Sequence, residues 1–167
     1  AWTITSAKNI NTNTNGNGGR TCADGIAYNV TALSSNTATL STTPTAGCLS
    51  ANDQILLLNL QGDGTNTTNV GNYEILTVQS NVTTTTVTFT SNKTKYYGNG
   101  ASDDTNIGTA THDQRVILQR VPQYTNVTIQ NGGSLTSNAW DGTKGGVLAF
   151  YASGTVDVQS GGSMNVD

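Results

Sequence analysis

The chain has 167 residues, enough to bury about two thirds of the surface its unfolded form would expose. Thr (30), Asn (20), Gly (19) and Ser (13) make up 82 residues, charged residues are 10% and the formal net charge is -3, against roughly 25% charged residues in ordinary domains. Seven basic residues and one Glu exclude an amphipathic helical bundle and a basic nucleic-acid binder, no run approaches the roughly 20 apolar residues of a membrane span, and the low charge gives no self-repulsion to hold the chain open.

The composition therefore points to a folded all-β protein. Its first ten residues alternate apolar and polar, with Trp2, Ile4 and Ile10 on one set, and then run into an Asn/Gly tract. Residues 1–19 read as an extended arm with a flexible link: either the first strand of its own domain or a strand that pairs with the sheet edge of a neighbouring subunit. The opening at Ala1, without Met, carries the expectation that any targeting segment has been removed or lies outside this sequence.

Residues 20–96 read as a β-sandwich-like part with strands at Ile26 to Leu33, Thr37 to Ser41, Gln54 to Leu60, Tyr73 to Gln79 and Thr84 to Thr90. Gln54 to Leu60 is apolar on both alternating sets, the pattern of a central strand covered on both faces. Thr84 to Thr90 sets Val87 and Phe89 against a row of Thr, the pattern of a half-exposed strand. Residues 97–114 form a polar loop, a natural boundary. Residues 115–167 hold strands at Arg115 to Arg120, Thr125 to Gln130 and Val147 to Ala152, and they are expected to pack as one unit with 20–96.

Cys22 and Cys48, without a CxxC motif or a nearby His, are expected to form a disulfide, which belongs to an oxidising compartment. Asn-x-Thr sequons stand at Asn29, Asn66, Asn81, Asn92 and Asn126, each a glycan acceptor if the chain is secreted. Twenty Asn in a chain this rich in Thr and Ser yield about five sequons by chance, so their number carries no message.

The most specific signal is an internal repeat: VTIQNGGSLT at 127–136 aligns without gaps with VDVQSGGSMN at 156–165, a period of 29 residues. A short strand, a Gly-Gly corner and another short strand at this period is the sequence form of β-solenoid coils, each hiding its apolar side chains by stacking on the next; two similar hairpins in one sandwich are the alternative. The fold class expected is thus all-β, a β-sandwich or small open barrel followed by β-solenoid-like or hairpin repeats. The tract QRVPQYTNVTIQNGGSLTSNAWDGTKGGVLAFYASGTVDVQSGG, with GNYEILTV upstream, resembles modules of secreted bacterial and archaeal surface proteins, adhesin-like and rich in Gly, Thr and Asn. The resemblance implies a cell-surface location and a β-architecture, and it brings no catalytic residues.

Catalytic chemistry has little to work with. The lone His112 lies next to Asp113 in the polar loop, there is no GxSxG elbow, and neither Asp103-Asp104 nor the stretch from Asp63 to Glu74 has EF-hand spacing. No metal or cofactor site is expected, and no enzyme. Among the aromatics, Tyr96-Tyr97 and Trp140 stand in turn-like stretches where an exposed sugar-stacking platform would form.

The function expected is a structural subunit of an extracellular, cell-surface filament that polymerises by β-strand addition. Its partners would be copies of itself and, in the alternative reading as an adhesin or carbohydrate-binding module, surface glycans; no nucleic acid and no membrane span enter. The residues expected at the subunit interface are Trp2, Ile4 and Ile10 on the arm and Val156, Val158, Met164 and Val166 on the last repeat, with the arm as the preferred donor. A type IV pilin is excluded by the missing N-terminal apolar helix and a flagellin by the missing heptads.

Overall fold

The computed structural model describes residues 1–15 and 20–166, so part of the expected flexible link, together with Asp167, lies outside the described residues. The described residues are all-β and form two compact units. None of their sheets closes into a barrel. Cys22 and Cys48 are joined in a disulfide.

One unit comprises Ala27–Arg120 with Gly142–Lys144. It is built on an antiparallel six-stranded sheet of β3 (Ala27–Leu33), β4 (Thr37–Leu40), β5 (Gln54–Gln61), β6 (Tyr73–Thr77), β7 (Thr86–Thr88) and β8 (Arg115–Arg120), in the order β6-β5-β8-β3-β4-β7. β5 and β8 lie side by side in the middle, which is why both read as near-continuous apolar runs: Ile55, Leu57, Ile117 and Leu118 are fully buried. β7 and the bridge residue Phe89 bury Val87 and Phe89 and turn their Thr residues outward. Arg120 and Asp53 are buried charged residues of this unit, and Arg120 Nε donates to Asp53 Oδ1 at 3.1 Å, so the two are paired.

The polar tract 97–114 lies within this unit and is held by side chains together with local backbone bonds and the single bridge between Ile107 and Gln114. Asn59 donates to the Tyr97 carbonyl, Asn69 to the carbonyls of Gly98 and Gly100, and buried Gln114 to the Asn66 carbonyl and Asn99 Oδ1. Asn and Gln can satisfy backbone groups that no neighbouring strand reaches, so a loop without regular structure is ordered by its amides.

The other unit comprises Ala1–Ile26, Val121–Asp141 and Gly145–Asp167. Its strands are β1 (Trp2–Ile4), β2 (Ala7–Asn9), β9 (Gln123–Tyr124), β10 (Val127–Ile129), β11 (Ser134–Thr136), β12 (Tyr151–Ala152), β13 (Val156–Val158) and β14 (Ser163–Met164). Every pairing here is parallel: β1-β10-β13 form one sheet, β14-β11-β2 a second, and β9 pairs with β12. The two copies of the sequence repeat pair with each other in register, Val127 with Val156, Ile129 with Val158 and Leu135 with Met164. Of the expected strand Val147 to Ala152, only Tyr151–Ala152 forms a ladder, because only these residues have a partner strand in β9.

The Gly-Gly corners explain why the repeat keeps these residues. Gly132 and Gly161 have φ of 79° and 81°, in the left-handed region that favours glycine. The second glycine of each pair has no room for a Cβ: at Gly133 it would lie 2.4 Å from the Ile4 carbonyl oxygen, and at Gly162 2.7 Å from that of Ile129. Each corner thus packs against the strand of the preceding layer.

Candidate functional site

The arm folds onto its own chain. Trp2 pairs with Val127 and Ile4 with Ile129, and with Ile10 these side chains join Tyr124, Val127, Ile129 and Leu135 in one buried cluster. Trp2, Tyr124 and Phe150 stack through it, with ring centroids 5.3 and 5.8 Å apart. The seven residues expected at an interface therefore fall into two groups. Trp2, Ile4 and Ile10 are interior, whereas Val156, Val158, Met164 and Val166 are 41–51% exposed.

The second group marks the most unusual surface of this unit. Val127, Ile129 and Leu135 are 0% exposed, whereas their partners in the next repeat, Val156, Val158 and Met164, are 41%, 43% and 41% exposed. The difference is one of position in the sheet: β10 and β11 have a strand on each side, while β13 and β14 are edge strands. Val127 N–H donates to the Thr155 carbonyl and Gln159 N–H to that of Ile129, so the alternation of a parallel ladder turns the N–H and C=O groups of Val156 and Val158 outward. An unpaired strand edge beside uncovered apolar side chains is a template for another strand.

The arm provides the opposite edge. Its even-numbered residues bond inward: Trp2 N–H donates to Asn126, the Ile4 carbonyl accepts from Gln130, and Ile10 N–H donates to Thr136. Thr3 and Thr5 are exposed, and alternation turns their backbone groups away from β10. Further along, this outer edge is closed at Asn9, whose N–H donates to Asn13 Oδ1 and whose carbonyl accepts from Thr12 and Asn13. The sequence pointed to the apolar residues of the arm and missed Thr3 and Thr5; the signal was the alternation itself, which assigns a free edge to the polar set.

The remaining candidates are dispersed. His112 is exposed. Asp103 accepts from Thr105 and Gly100, Asp104 pairs with Lys93 Nζ at 2.5 Å, and Asp63 accepts from Thr65 and Asn66. The bonds to Asp63, the Asn66 side chain foremost, hold its carboxyl well below the usual range. Burial opposes ionisation of Glu74, yet hydrogen bonds from Thr94, Tyr97 and Lys95 outweigh it and lower its pKa. These carboxylates are turn and loop fasteners, and among the described residues no three His, Cys, Asp or Glu are grouped to hold a metal.

Of the five sequon asparagines, Asn81, Asn92 and Asn126 are exposed, while Asn29 and Asn66 are half-buried and bonded through Nδ2 to Thr143 and to Asp63. Among the expected aromatic platform residues, Tyr97 is fully buried with its hydroxyl on Glu74, and Tyr96 and Trp140 are exposed. No described helix is long and apolar enough to cross a membrane. No family model, curated protein or solved structure matches this chain.

Proposed function

We propose that the chain is a structural subunit of an extracellular, cell-surface filament, without enzymatic activity, whose copies join head to tail by β-strand addition. The observation that carries this reading is the contrast between the two copies of the repeat: the same apolar positions are closed in the first and open on an unpaired edge in the second. In this reading the parallel layers are coils of a β-solenoid, and the last coil is covered by the N-terminal layer of the next copy. The disulfide supports an oxidising compartment.

The joint repeats the way β13 already sits on β10. With Trp2 of the incoming copy opposite Val156 and Ile4 opposite Val158, Val156 N–H meets the Ala1 carbonyl, Thr3 supplies N–H to Val156 and C=O to Val158 N–H, and Thr5 N–H meets the Val158 carbonyl. The arm has two edges, so it keeps β10 of its own chain on the even-numbered edge and takes β13 of its neighbour on the odd-numbered one. Trp2 and Ile4 have the spacing of Val156 and Val158, and Lys8, which lies opposite Leu135 within the chain, falls opposite Met164. Covering three residues that are each about 40% exposed contributes about 2–4 kcal/mol, added to the edge hydrogen bonds. A head-to-tail joint whose rotation does not close gives an open fibre.

The test is Thr3→Pro. Proline removes an N–H that faces outward on an edge strand, where proline is tolerated, so the monomer folds as before. Purified wild-type chain should form fibres under electron microscopy and T3P should remain monomeric with an unchanged circular dichroism spectrum. Wild-type chain that stays monomeric at high concentration, or T3P fibres equal to wild type, would contradict the reading.

A further inference from the structure

A cleft of about 440 Å³ opens on the unit that contains the arm, lined by Ala1, Asn15, Gln123, Tyr124, Thr125, Tyr151 and Ser153, a volume within the range of small-molecule sites. Its wall is built on paired backbone. β9 and β12 lie side by side with Tyr151 opposite Gln123, Ser153 N–H donates to the Tyr124 carbonyl at 2.9 Å, and Gly154 N–H to that of Thr125 at 2.7 Å. Tyr124 turns inward, so its neighbours Gln123 and Thr125 face outward, next to exposed Tyr151 on the adjoining strand and Ser153 in the bend that follows it. The result is a two-by-two grid of one aromatic ring, one amide and two hydroxyls.

Each corner of the grid has a fixed place. Tyr151 is 54% exposed, and its N–H donates to the Pro122 carbonyl at 2.9 Å, so the ring stands on paired backbone. Gln123 Nε2 donates to the Val121 carbonyl at 3.2 Å, which restrains the amide. Asn15 adds a second amide from the arm's link. Among the described residues no charged side chain lines the cleft.

We infer that this cleft is a binding site for a neutral saccharide, which stacks one face of a sugar ring on Tyr151 and bonds its hydroxyls to Gln123, Thr125 and Ser153. An aromatic face takes the C–H side of a pyranose, while amides and hydroxyls, which donate and accept at once, match vicinal hydroxyl groups. Amide and hydroxyl groups, with no charged side chain among the described lining residues, favour a neutral sugar. Because Gln123 and Tyr151 stand on paired strands, with Thr125 and Ser153 in hydrogen-bonded bends directly after them, little order is lost on binding. Ala1 lines the cleft and also faces the neighbour's Val156 in the proposed joint, so binding is tested on a chain that does not assemble.

The test is an NMR titration of the assembly-deficient T3P chain with methyl mannoside, methyl glucoside, methyl galactoside and methyl N-acetylglucosaminide, with glucuronate as the charged control. At least one neutral glycoside should bind with a Kd of about 1 mM or tighter and shift the amides of residues 123–125 and 151–153. Tyr151→Ala should weaken it about tenfold or more, Gln123→Ala should weaken it as well, and Tyr151→Phe, which keeps the ring, should stay within about threefold. Binding of none of the four, equal affinity in Y151A, or stronger binding of glucuronate would overturn the assignment while leaving the filament reading untouched.

Discussion

Replacing Val158 by Asp separates folding from assembly. Val158 is 43% exposed, so rather more than half of its transfer free energy is already realised in the free subunit, and its loss costs about 1–1.5 kcal/mol of folding stability. For a chain of this length that lowers Tm by about 3–5 °C. In the joint the loss is larger, because the remaining apolar burial disappears and a carboxylate must be desolvated against the neighbour's Ile4, at least about 3 kcal/mol in sum. The critical concentration for assembly should therefore rise about 100-fold or more. Ile129→Ala is the internal control: the same position one repeat earlier is fully closed, and its truncation should cost about 3–4 kcal/mol of folding stability. Thermal melts and sedimentation of polymer against concentration measure the two quantities. An unchanged critical concentration for V158D, or a folding loss as large as that of I129A, would refute the reasoning.

Three further outcomes are expected. Gly133→Ala should destabilise the fold by about 2 kcal/mol or more, since its methyl group meets the Ile4 carbonyl oxygen at 2.4 Å; a urea midpoint equal to that of wild type would contradict the packing of corner on strand. Replacing Cys22 and Cys48 together by Ser should cost about 3.5 kcal/mol, the chain-entropy value for a loop of this length, and a loss below about 1 kcal/mol in urea titration would contradict it. Glu74 has a lowered folded-state pKa, so its contribution is full above the ordinary glutamate value of 4.5 and disappears as pH falls through the folded value. The stability gap between wild type and Glu74→Gln should therefore be wide at about pH 7 and narrow at about pH 3; a gap independent of pH would show that the bonds from Thr94, Lys95 and Tyr97 do not favour the ionised carboxylate.

Much of this architecture was legible because two periodicities are strong. The doubly apolar run Gln54 to Leu60 is the central β5, the one-sided Val87-x-Phe89 pattern is the half-exposed edge region, and the 29-residue spacing of VTIQNGG and VDVQSGG is the pairing register itself. What could not be read is carried by contacts between residues far apart in sequence. Nothing in the tract 97–114 announces that Asn59, Asn69 and Gln114 will supply its hydrogen bonds, because an Asn or Gln reads the same whether it faces water or a buried carbonyl. The division between units likewise falls at Ile26/Ala27 and Arg120/Val121, inside strand-like sequence. The arm joins the last third of the chain, and alternation within Trp2 to Ile10 cannot name the strand it will meet. Tyr151 and Gln123 come together only once β9 and β12 pair, although the 28-residue offset between them is close to the period of the repeat.

The most direct measurement is a cysteine cross-link across the joint. In the proposed register Thr3 of one subunit lies opposite Asp157 of the next, as Thr128 lies opposite Asp157 within the chain, and paired strands bring Cα atoms within disulfide range. Fibres of the T3C/D157C double variant, oxidised and run on a non-reducing gel, should yield a ladder of covalent oligomers extending well beyond the dimer, with neither single variant giving more than dimers. Assembled fibres whose oxidised double variant yields only monomers and dimers would contradict head-to-tail addition of the N-terminal strand to the C-terminal edge.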